Sequence, residues 1–68
     1  MTPDEREKLK REATRLLREV DAMVGQVIDA ISEDNFERAY EGADEIEMNM
    51  RKAMGPLEDL LDAAEGRG

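Results

Sequence analysis

The chain has 68 residues, no cysteine, no histidine, 41% charged residues and a net charge of −8. These facts exclude a disulfide framework, a thiolate metal site and imidazole acid–base chemistry, and they allow one small domain, residues 1–68, with a marginal core of its own. With Phe36 and Tyr40 as its only aromatics and no apolar run long enough to span a bilayer, the sequence offers neither a base-stacking platform nor a membrane segment.

The first predicted element starts at Thr2-Pro3-Asp4-Glu5. Thr2 suits the N-cap, Pro3 the first helical position, and Glu5 the third position of a capping box. Asp4, Glu5 and Glu7 complement the positive end of the helix dipole. The apolar periodicity then predicts a helix over 3–31, about 43 Å long at 1.5 Å per residue. Ser32-Glu33-Asp34-Asn35 interrupts the pattern, which places a turn at 32–34. Asp34 with Glu37 three residues later reads as a second capping box, so a new helix is expected from residue 35. So short a connection makes the two helices antiparallel neighbours.

Gly55-Pro56 divides the second helical stretch into 35–54 and 56–65. Proline inside a helix costs one hydrogen bond and a clash, about 3 kcal/mol, yet the apolar columns keep their phase across it. The expectation is therefore a second helix kinked or broken at Gly55-Pro56, its pieces nearly collinear and lying back along the whole first helix. Residues 66–68 are expected to fray.

Both helices carry three apolar columns at heptad spacing. The first has Ala13, Val20, Val27; Leu9, Leu16, Met23, Ala30; and Leu17, Val24, Ile31. The second has Phe36, Ala43, Met50, Leu57, Ala64; Ala39, Ile46, Ala53, Leu60; and Tyr40, Met54, Leu61. Three columns make a face broader than a two-helix seam can cover. Since disulfides and the usual metal ligands are missing, oligomerisation is the remaining way to stabilise so small a fold. Leu16, Val20, Val24, Ile46 and Leu60 are the expected core of the assembly. Gly25 and Gly42 fall at one level of the hairpin and are candidates for close helix contact. Ile28 and Met48 stand outside the main columns and are candidates for an added contact, methionine being adaptable at binding surfaces.

Charge is unevenly spread. Residues 1–19 hold six bases and five acids, residues 20–68 four bases and thirteen acids. Glu37, Glu41, Asp44 and Glu45 form a ridge of like charge, each pair opposing the helix by a few tenths of a kcal/mol. The ridge is either a solubilising face or a surface that imitates nucleic-acid phosphates towards a basic partner. The bases of the first helix are expected to pair four residues along, as Asp4–Lys8, Glu7–Arg11, Lys8–Glu12 and Arg15–Glu19. No catalytic, metal or cofactor site is expected: paired carboxylates need a cleft with two distinct environments to act as acid and base, and no calcium-loop spacing is present.

The sequence thus describes an all-α antiparallel helical hairpin that self-associates, as a four-helix bundle or a larger helical oligomer. Its layout resembles the plasmid repressor-of-primer family, short acidic hairpins that dimerise into a four-helix bundle and bind RNA; the resemblance is one of architecture, without a matching RNA-contact motif. The expected role is a non-enzymatic protein–protein interaction module, an adaptor or regulator that pairs with itself and with another protein. Two alternatives are an acidic inhibitor of a nucleic-acid-binding protein, of the kind phages use against host defence, and an RNA-binding regulator acting through the first helix. Neither membrane nor nucleic acid is an expected partner on the main reading. With no apolar signal core at the N-terminus, the expected location is cytoplasmic.

Overall fold

The computed structural model describes residues 1–66 as two helices folded into a hairpin, α1 (Pro3–Ser32) and α2 (Phe36–Ala64), with no strand among the described residues. Thr2 caps α1, its Oγ1 accepting from the Glu5 amide at 3.2 Å. At the other end the Asn35 amide reaches back to the Ala30 carbonyl at 2.8 Å and the Asp34 amide to Ile31 at 3.0 Å. This is the Schellman pattern, which needs a left-handed residue just past the cap. Asp34 supplies it, with φ 58°. Glycine would adopt that conformation at lower cost, and aspartate is among the few others that tolerate it.

Because Asp34 closes α1, it does not cap α2. Asn35 does, its Oδ1 accepting from the Arg38 amide at 3.3 Å. The expected Asp34–Glu37 box is thereby corrected by one position: two adjacent Asx residues split the work of ending one helix and starting the next. Just past the end of α2 at Ala64, Gly66, with φ 75°, donates its amide to the Ala63 carbonyl at 3.2 Å and closes the last turn. Of the expected frayed segment, Arg67 and Gly68 lie outside the described residues.

α2 runs unbroken through Gly55-Pro56. The ring of a proline collides with the Cβ of the residue before it when that residue is helical. Gly55 has no Cβ, which removes that part of the conflict. Pro56 itself is buried, so its apolar ring packs in the seam and offsets part of the lost hydrogen bond.

The hairpin is a single layer. Its principal extents are 48 × 17 × 13 Å and its radius of gyration is 15.4 Å, against about 11 Å for a compact domain of this length. The seam is narrow. On α1 the inward residues are Leu9, Ala13, Leu16, Val20, Met23, Val27 and Ala30; on α2 they are Ala39, Gly42, Ile46, Asn49, Ala53, Pro56 and Leu60. Both sets step by three and four, the two-column spacing of a coiled-coil seam.

Gly42 fixes the register. A Cβ built there would stand 2.7 Å from Val27 Cγ2, so the two residues face each other. Stepping outward from that level sets Leu16 opposite Ala53 and Ala13 opposite Pro56, while Ala30 meets Ala39 near the turn. At the Val27–Gly42 and Leu16–Ala53 levels a larger residue meets a small one, which lets the backbones approach closely there. The fully inward residues are mostly alanines; Leu16, at 6% exposure, is the only larger aliphatic among them.

Candidate interaction face

The two long edges of the hairpin differ in kind. In an antiparallel pair, the residue after each Leu16-type seam position on α1 and the residue three before each Ala39-type position on α2 line the same edge. Past Lys10 at its N-terminal end, that edge carries Leu17, Val24 and Ile31 from α1 and Phe36, Ala43, Met50, Leu57 and Ala64 from α2. Ile28, Tyr40, Met54 and Leu61 extend it outward by one further row. All twelve are exposed, Val24 at 40%, Phe36 at 64% and Tyr40 at 78%. The edge holds nearly all the large aliphatic and aromatic side chains that the seam does not use.

The opposite edge is polar. Gln26, Arg38, Glu41 and Glu45 line one shallow groove there together with the seam residues Met23, Val27 and Gly42. Glu19 also reaches across this edge: its Oε2 accepts from Asn49 Nδ2 at 3.2 Å while its Oε1 accepts from Arg15 at 3.0 Å. Asn49 sits half-buried in a seam position, and its bond to Glu19 gives the amide a partner there. A single polar residue at such a position favours one register over its neighbours.

Among the residues expected to matter, Leu16, Val20, Ile46 and Leu60 lie in the seam and Val24 on the apolar edge. Ile28 extends that edge, whereas Met48 stands on the far side of α2, exposed beyond the polar edge. Gly42 makes the close helix contact; Gly25 faces outward, with nothing within 4 Å of an added Cβ. The sequence reading missed Asn49 and Pro56 as seam residues. The signal that finds them is the three–four step from Ala39 and Ala53, not hydropathy.

Glu37, Glu41, Asp44 and Glu45 lie on the outer and polar sides of α2, all exposed, and none takes part in an ion pair. Among the described residues, no charged or polar side chain is buried, and no group of three or more carboxylates is placed to hold a metal ion. Of the four expected ion pairs on α1 only Arg15–Glu19 forms; Glu7 pairs with Lys10 at 3.3 Å instead of Arg11. A third pair, Arg51–Glu47 at 2.6 Å, belongs to α2. All three are solvent-exposed, where such pairs add little to stability. No helix among the described residues is long and apolar enough to cross a membrane.

The candidate site is therefore a surface: an apolar strip along one edge of a single-layer helical hairpin. No protein family, curated protein or solved structure matches this chain.

Proposed function

We propose that the chain is a non-enzymatic protein–protein interaction module, an adaptor or regulator that works as a homo-oligomer of hairpins. One observation carries the reading: the fully buried positions of the seam are mostly alanines, while a row of bulky apolar side chains lies together on one edge, exposed. Contiguous apolar patches beyond a few hundred Å² mark interaction surfaces in soluble proteins. A small fold without disulfides gains most from closing such a patch by association. Light scattering at micromolar concentration is expected to give a dimer or larger. A melting temperature that rises with protein concentration is the thermodynamic counterpart.

A second reading has its own observation. The ridge of Glu37, Glu41, Asp44 and Glu45 is exposed, unpaired and turned away from the apolar edge, so it stays in solvent when that edge is covered. An assembled module with a free acidic face suits an inhibitor that engages a basic protein, with complementary charge speeding encounter. Salt-sensitive capture of a basic nucleic-acid-binding protein tests it.

A further inference from the structure

We infer that the apolar edge seats a second copy of this chain, laid antiparallel to the first, so that each loop lies beside the other's termini and the two α2 helices meet about Met50. The inference rests on the self-association proposed above and adds its direction.

Area identifies the occupant as large. The hairpin exposes 5349 Å², about 1,000 Å² more than a globular monomer of 7.7 kDa. A globule of twice that mass exposes about 7,200 Å², so full closure of two hairpins buries up to about 3,500 Å² in total, within the range of obligate homodimers. A second hairpin matches the strip in length and chemistry, because it presents the same strip.

Charge sets the direction. Divided at mid-length, the loop half, residues 19–50, holds ten acids and one base, whereas residues 1–18 with 51–66 hold eight of each. Two face-to-face arrangements keep all neighbouring helices antiparallel. With the loops together, the second half of α1, at −3, and the first half of α2, at −4, lie against each other twice over. With the loops apart, the second half of α1 meets the first half of the other α1, which holds six bases and four acids. The second arrangement replaces the strongest like-charge contact with an attractive one.

Side-chain size agrees. In the α2 strip each bulky residue on one side of Met50 mirrors a small one on the other: Phe36 mirrors Ala64 and Leu57 mirrors Ala43. Antiparallel pairing about Met50 sets Phe36 against Ala64 and Leu57 against Ala43 of the second copy. Interlocking of this kind is what close packing requires.

The chain has no cysteine, so an introduced one reports cleanly. Ser32→Cys places a nitroxide label at the turn end of α1, on an exposed residue. Pulsed dipolar spectroscopy on the assembled protein is expected to give an intermolecular distance of about 40–45 Å, from 1.5 Å of rise per residue. A distance under about 25 Å, a few interaxial spacings, would place the loops together and overturn the inferred direction while leaving self-association standing. A fully helical protein with no intermolecular coupling would overturn both. Met50→Cys is an independent check: loops-apart pairing brings the two thiols together, so a disulfide-linked dimer forms on mild oxidation. Failure of that link in a protein shown to be dimeric counts against pairing about Met50.

Discussion

The two edges of the hairpin share the same helices, the same seam and the same solvent, yet one carries Leu17, Val24, Ile31, Phe36, Met50 and Leu57 and the other Glu19, Gln26, Arg38, Glu45 and Lys52. Either edge is a single column per helix beside the seam. The comparison teaches that a two-helix fold and the character of its exposed edges are specified separately. The seam brings the helices together with a three–four step of small and aliphatic residues. What happens beyond the pair is decided by which flanking column is greasy. An asymmetric choice leaves one edge apolar and the other polar, and on the function proposed above a second layer covers the apolar one.

The sharpest break in that comparison comes from the seam. Leu16→Ala empties the most buried of the larger seam sites, and Ile46→Ala removes a large seam residue of α2. Each is expected to cost about 2–5 kcal/mol, the range for large-to-small core changes. In a domain this small that removes most of the stability. Circular dichroism should show loss of helix at all accessible concentrations.

Edge substitutions should act differently. Leu57→Glu puts a charge on the apolar strip, and association is expected to weaken a hundredfold or more, about 3 kcal/mol. Lys52→Glu, on the polar edge of the same helix, should leave the mass in solution unchanged. Equal effects from the two, measured by sedimentation, would erase the distinction between the edges.

Glycine gives a smaller and opposite pair. Gly42→Ala drives a methyl to 2.7 Å from Val27 Cγ2. Overpacking costs about 1–3 kcal/mol and is offset by about 1 kcal/mol of helix propensity, so the protein should melt lower. Gly25→Ala meets nothing within 4 Å and should melt higher by the propensity gain alone. Restoration of Gly42→Ala stability in a Val27→Ala background, compared by denaturant titration, would tie the effect to that one contact.

The smallest effect belongs to the acidic ridge. Changing Glu41 to Gln and Asp44 to Asn relieves repulsion worth a few tenths of a kcal/mol, so stability should be equal or slightly higher. If the ridge binds a basic protein, the same change weakens capture and flattens its salt dependence. Unchanged capture of a verified partner returns the ridge to a solubilising role.

Most of the architecture was legible in the sequence because it is carried by periodicity and caps. Thr2-Pro3 marked the start of α1, the turn fell where the apolar rhythm stopped, and columns in phase across Gly55-Pro56 pointed to two collinear lengths of helix. Hydropathy misled at the α2 seam. It put the bulky column from Phe36 to Ala64 on a par with the column from Ala39 to Leu60. The chain instead turns Gly42, Asn49 and Pro56 inward, three residues with no apolar signal of note, because close approach of two backbones rewards smallness over greasiness. Asp34 and Asn35 were indistinguishable as caps, since either side chain accepts an amide; only the left-handed turn needed to end α1 tells them apart. Pairings such as Glu7–Arg11 failed for a similar reason: flexible exposed side chains choose among several neighbours of nearly equal energy.

Sedimentation equilibrium over a range of concentrations, with helicity followed on the same samples, tests the central claim most directly. The account predicts a mass of at least twice 7.7 kDa at micromolar concentration, with helix content falling together with mass on dilution. A stable, fully helical species of 7.7 kDa at those concentrations would contradict it, for the apolar edge would then be tolerated in water with nothing covering it.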